Sequence, residues 1–177
     1  MSEQNTSKRP SKNTIIILVA MAVLLPTVIV LAILNARDME ERLQYHVEGN
    51  FSILIGGGRY YVSLEDLVSL EPVEVTSSPR GEHRSFTGVS LAAILEFTGA
   101  DYSEGTNLVF NSIDGFRTAI TMAEALNPEA SFIVFEENGV ALGARSGHWQ
   151  DAPFMLVMAR DPFANRWARY VFEIEIQ

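Results

Sequence analysis

The sequence predicts an α+β domain built on a mixed, mostly antiparallel sheet with short capped helices, preceded by one N-terminal transmembrane helix. Three observations carry this expectation. Ile15 to Leu34 are twenty consecutive residues without a charge. Beyond Glu48, short apolar runs of period two are separated by turn dipeptides such as Asp114-Gly115 and Asn138-Gly139. Two capping boxes open short helices, and no long strand–helix–strand alternation points to a parallel sheet.

The apolar run comes first. At about 1.5 Å per residue, a helix of that length covers roughly the 30 Å of a bilayer's hydrocarbon core. Pro26 and Thr27 are its only interruptions, and proline is tolerated in membrane helices. A cleaved signal peptide is the alternative. Its apolar region would be about 7–15 residues long and followed by a small-x-small cleavage site. Here Leu34-Asn35-Ala36 has a poor leucine, and Val30-Leu31-Ala32 lies inside the run, so length and flanks favour an uncleaved anchor. Lys8, Arg9 and Lys12 precede the run, whereas Arg37 and Arg42 follow it among acidic residues. By the positive-inside rule the N-terminus is cytoplasmic and the C-terminal domain lies outside the cytoplasm, on a single-pass chain in the cell membrane. The expected organisation is a disordered polar tail over residues 1–13, the transmembrane helix over 14–34, a helical stalk over 35–47 and a domain over 48–177.

Within that domain, Phe51, Ile53 and Ile55 alternate with Ser52 and Leu54 as a strand. Gly56-Gly57-Gly58 is a hairpin turn, because strand-like Arg59–Val62 follows it where a phosphate loop would start a helix. Ser63-Leu64-Glu65-Asp66 caps a short helix that Pro72 ends. Val73–Ser77 is a strand, and the polar stretch Ser77–Ser85 is a loop. Thr87-Gly88 is expected to turn the chain tightly out of that loop. Ser90 then caps a helix with Leu91, Ile94 and Leu95 on one face and Gly99 at its stop. Ser90 is near nucleophile-elbow spacing, but Ala92 stands where the second glycine belongs. Hairpins follow around Asp114-Gly115 and Asn138-Gly139, with the Thr121–Glu124 capping box between them. Pro153–Ala159 and Arg169–Ile176 supply the last strands.

Composition excludes several functions. The net charge is −9, and the basic N-terminal tail leaves the remaining chain more acidic still, so nucleic acid is not a partner. The chain has no cysteine, hence no disulfide, thiolate metal site or thiol nucleophile. His46, His83 and His148 lack partners at metal-ligand spacing; His46 is expected to be solvated on the stalk. Two basic patches stand out: Arg80, His83 and Arg84, and Arg145, His148 and Trp149. Guanidinium forks and aromatic rings suit an anionic or heteroaromatic ligand. The plainer reading is loop charges facing Glu82 and Asp151.

The domain resembles the oxidoreductase molybdopterin-binding domain, the fold of sulfite oxidases and their bacterial relatives. The matching pieces occur in family order: "YYVSLEDLVSLEPVEVT", "RSFTGVSLAAILEFTGAD", "SIDGFRTAITMAEAL", "FIVFEENGVAL" and "PFMLVMARDPFANRWARYVFEIEI". The resemblance covers about residues 48–177. It implies a sulfite-oxidase-like fold and molybdopterin as cofactor. Active members place a molybdenum-binding cysteine at a position corresponding here to about Ser77 or Ser78. Arg80, Arg84, His148 and Arg160 are loose matches to the family's basic pterin contacts, and His83 joins them as a candidate ligand residue. Serine is a poor substitute for a soft thiolate. The expectation is therefore a membrane-anchored, non-catalytic module that binds a small anionic or pterin-like ligand, or a protein partner in a membrane complex. A molybdopterin-dependent oxidoreductase subunit and a scaffold or signalling subunit are the alternatives.

Overall fold

The computed structural model describes residues 11–99 and 106–177. Most of the expected polar tail lies outside the described residues. The chain divides after Gln44 into two compact units.

The first unit is one helix, α1 (Lys12–Leu43), 32 residues long and carrying Pro26 inside it. Ser11 caps it by accepting from the Thr14 N–H at 3.2 Å. The Thr27 hydroxyl donates to the Val23 carbonyl at 2.9 Å. The apolar run and the expected stalk as far as Leu43 form one unbroken helix, which is long and apolar enough to cross a membrane. Its large apolar side chains are exposed, so the unit has no core of its own.

The second unit holds two sheets. In the first, β1 (Asn50–Ile55) pairs with β2 (Gly58–Ser63) and, in parallel, with β11 (Val171–Ile176). That strand pairs with β5 (Asn107–Ser112), which pairs with β6 (Arg117–Thr121). The second sheet runs in the order β10 (Ala168–Arg169), β9 (Met155–Met158), β7 (Ser131–Glu137), β4 (Arg84–Ser90) and β3 (Val73–Ser77). A short β8 (Val140–Ala141) returns along β7. The β1–β11 pair is parallel and every other pair described is antiparallel, which agrees with the mixed, mostly antiparallel α+β class.

The helices start where their caps require. Ser63 and Asp66 close a capping box on α2 (Leu64–Ser69), and Thr121 and Glu124 close another on α4 (Met122–Ala125). Ser90 Oγ accepts from the Ala93 N–H on α3 (Leu91–Thr98), and Gly99 ends that helix at φ 60°. Leu91, Ile94 and Leu95 on α3 join one apolar cluster with Phe51, Ile53 and Phe110 of the first sheet and Phe86, Ile133 and Leu156 of the second. Burying such a side chain contributes roughly 1.5–3 kcal/mol each.

Three expectations change. Thr87-Gly88 makes no turn, because both residues lie within β4, between β3 and β7. A Cβ on Gly88 would collide with the Ile133 carbonyl oxygen and come within 2.7 Å of Val134 Cα. The glycine therefore permits close approach of two strands. The loop ahead of it is shorter than expected: Pro79–Gly81 form a single 3-10 turn, and Arg84 and Ser85 already belong to β4. His46 is not solvated. Its ring meets Phe172 edge-on at 5.7 Å, and both ring nitrogens are buried without a hydrogen-bond partner.

Candidate functional site

The β5–β6 turn, the start of β4 and the segment entering β10 surround an open cavity of about 320 Å³. Asp114 and Phe116 come from the turn, Arg84 from β4, and Asn165, Trp167 and Arg169 from the segment Ala164–Arg169. Each position has a local cause. The Gly115 N–H donates to the Ser112 carbonyl at 2.9 Å, and the Phe116 N–H donates to Asp114 Oδ1 at 3.0 Å. This closes the turn and presents both side chains at the rim. Trp167 is buried, with its indole N–H donating to the Met158 carbonyl at 3.2 Å and its ring edge-on to Phe86 at 5.4 Å.

Arg166 clamps the segment from behind. It donates to both Asp161 oxygens, at 2.9 and 2.7 Å, and to Glu124 Oε1 at 2.7 Å. These carboxylates push the Arg166 pKa upward, Asp161 first and Glu124 second. Glu124 is held below its ordinary range by the Thr121 backbone N–H and then by Arg166.

Glu137 at the end of β7 organises the positive charge. It is 6% exposed. Its Oε1 accepts from Arg84 Nε at 2.7 Å and also from Arg84 Nη2, while its Oε2 lies 2.8 Å from Arg145 Nη1. The Arg84 guanidinium lies 5.4 Å from the Phe86 ring centre and 5.6 Å from that of Trp167. Arg145 stands 5.8 Å from the Trp149 ring. One arginine from each basic patch, Arg84 and Arg145, thus shares Glu137, which is neither Glu82 nor Asp151.

The other candidates lie elsewhere. Ser77 is buried, and its Oγ donates to the Ala159 carbonyl at 3.2 Å. Ser78 Oγ and His83 Nδ1 are 2.8 Å apart. Arg80 takes a left-handed φ of 55°, and its backbone N–H donates to the Pro162 carbonyl at 3.0 Å. His148 is exposed and meets Tyr170 edge-on at 5.6 Å. Arg160 is exposed and pairs with Glu129. Of the residues singled out in the sequence, Arg84 alone lines the cavity. In the sequence Asp114 signals only a turn, Asn165 and Trp167 fall in the connection between the last two strands, and Arg169 opens the second of them. The string Asn165-Arg166-Trp167-Ala168-Arg169 has the same basic–aromatic mixture as Arg145–Trp149 and was the available signal.

No protein-family model matches the chain, and no curated protein does either. Among solved structures, a chain of the sulfane dehydrogenase SoxCD from Paracoccus pantotrophus is similar, with a TM-score of 0.56 and 19% identity over 72% of this chain. The match spans 37% of that chain's length. At this identity the likeness concerns the fold, which is sulfite-oxidase-like.

The donor set does not fit a thiolate-held molybdenum. The chain has no cysteine, Ser77 Oγ is engaged with a carbonyl, and Ser78 Oγ is engaged with His83. A hard alcohol oxygen does not replace a soft thiolate. The cavity's guanidinium and aromatic groups, by contrast, suit an anionic heterocycle.

Proposed function

We propose that this protein is a non-catalytic binding module, carried on a single membrane anchor with its domain outside the cytoplasm. Its site is the cavity beside Trp167, and its ligand is a small, planar, anionic molecule of pterin-like chemistry. One observation carries the reading: Arg84, Arg169, Trp167 and Phe116 converge on a cavity in a chain without a thiolate for the metal. Guanidinium groups pair an anion, and the aromatic groups supply surface for a ring. Its volume is at the lower end of the range for small-molecule sites, about 300–1,000 Å³. The apolar helix α1 supports the anchor, and the positive-inside count supports the orientation.

The test is made on full-length protein from molybdate-fed cells, by metal analysis and oxidised-pterin fluorescence, beside an Arg84→Ala, Arg169→Ala double variant. The expected result is a bound fluorescent heterocycle without stoichiometric molybdenum, lost in the double variant. Near-equimolar molybdenum overturns the non-catalytic reading in favour of an oxidoreductase subunit. Neither metal nor heterocycle favours a partner-binding scaffold, for which Phe163, 59% exposed in the segment beside the cavity, is the apolar contact.

A further inference from the structure

Two charged groups of the cavity stand apart from its ion pairs. Arg84 is committed to Glu137, which Arg145 also engages. Arg169 is exposed and has no ion-pair partner among the described residues. Asp114 spends Oδ1 on the Phe116 N–H, and no cation pairs with it among the described residues. Both line the same cavity, yet no ion pair joins them. A guanidinium and a carboxylate left unmatched in one cavity complement a ligand with two chemically different ends. One end is an anion, and the other is an edge rich in N–H donors. The turn hydrogen bonds from Gly115 and Phe116 hold Asp114 in place.

We propose that Asp114 is a specificity-determining residue of this cavity. Its carboxylate accepts the adjacent ring N–H and exocyclic amino N–H of an amino-oxo pyrimidine edge, the edge shared by guanine and pterins. Arg169 takes the phosphate or carboxylate of the same ligand. The inference rests on the ligand-binding reading above and narrows it to heterocycles bearing that edge. A carboxylate offers two acceptor oxygens and no donor, so it matches two parallel N–H groups. An analogue without the exocyclic amino group forfeits one of these charge-assisted bonds.

The probes are guanosine monophosphate, inosine monophosphate, which lacks the exocyclic amino group, and inorganic phosphate. Each is titrated calorimetrically into full-length protein in detergent: wild type, Asp114→Asn and Arg169→Ala. Asparagine keeps the turn and the Oδ1 acceptor, but it places an NH2 donor where the carboxylate had its second oxygen. The wild type should prefer guanosine over inosine monophosphate by about tenfold, the worth of one hydrogen bond to a charged group. Asp114→Asn should erase that preference, and Arg169→Ala should weaken both nucleotides alike. Equal binding of the two nucleotides by the wild type, still lost in Arg169→Ala, overturns the role of Asp114 and leaves the cavity as the site. Phosphate alone binding as well as guanosine monophosphate, or no binding of either nucleotide, also overturns it. A heterocycle recovered with the protein in the preceding experiment then shows that the binding reading survives.

Discussion

Glu173 on β11 and Glu137 on β7 are both buried carboxylates held by arginine, one in each sheet, and they differ in what the arginines do next. Glu173 accepts from Arg59 Nη1 at 2.8 Å and from Asn111 Nδ2 at 2.9 Å. The same Arg59 nitrogen reaches Ser52 Oγ at 2.6 Å, and the guanidinium lies 4.7 Å from the Tyr45 ring centre. This arginine is caged by its own sheet. Glu137 instead serves two arginines, and one of them, Arg84, lines an open cavity. Two guanidinium groups on one carboxylate leave a surplus positive charge, and it lies beside Trp167. A buried pair with matched charges is structure. A buried carboxylate that is outnumbered, with one cation reaching an opening, leaves that cation open to an anion.

The largest effect that can break this comparison is removal of Glu173. Glu173→Ala leaves Arg59 half-buried without its counter-charge and should cost about 3–5 kcal/mol in denaturant unfolding. A cost under about 1 kcal/mol would show that the first-sheet cluster is not sealed. Glu137→Gln should cost less, about 1–3 kcal/mol, since Arg84 and Arg145 both retain access to solvent. A loss equal to that of Glu173→Ala would erase the distinction between the two carboxylates.

Acid sharpens the contrast with the smallest effect, at two carboxylates outside both clusters. The Asp66 pKa is lowered from an ordinary 3.8 by the Ser63 hydroxyl and then the Ser63 backbone N–H. Glu124 is lowered from 4.5 by the Thr121 backbone N–H and then Arg166. A pKa depressed by folding means the unfolded chain binds the proton first. The stability from these caps is therefore full above the ordinary values and declines as pH falls below about 4.5 for Glu124 and 3.8 for Asp66. Ser63→Ala, which removes the hydroxyl bound to Asp66, and Arg166→Ala, which removes the guanidinium bound to Glu124, should each flatten the acid limb of a stability–pH curve. An unchanged slope would place the acid sensitivity elsewhere.

What could be recognised in the sequence was whatever residues a few positions apart decide. Ser63 with Asp66, Ser90 with Ala93 and Thr121 with Glu124 are bonds spanning three residues, so the helix starts were visible without tertiary knowledge. Gly56-Gly57 and Asn138-Gly139 take the left-handed backbone that two-residue hairpins need, and both turns stand where the glycines put them. The twenty uncharged residues of α1 required only counting. Ordered pieces of weak similarity carried the fold class, because each keeps its place in a strand or cap.

The tertiary structure alone decided the rest, because it depends on contacts between residues distant in the chain. Gly88 looks the same in a turn and in a strand, and only the Ile133 and Val134 backbone pressed against it says which. His46 looks solvated until Phe172, over a hundred positions later, covers its ring. Arg84 and Arg145 belong to separate sequence patches, yet Glu137 joins them because β7 lies beside β4 and the turn after β8 folds back over its end. Asp114, Trp167 and Arg169 share one cavity only after β5 and β10 are placed in different sheets that meet around it. Caps and turns depend on geometry within one turn of chain, whereas the site depends on strand order, which no local pattern records.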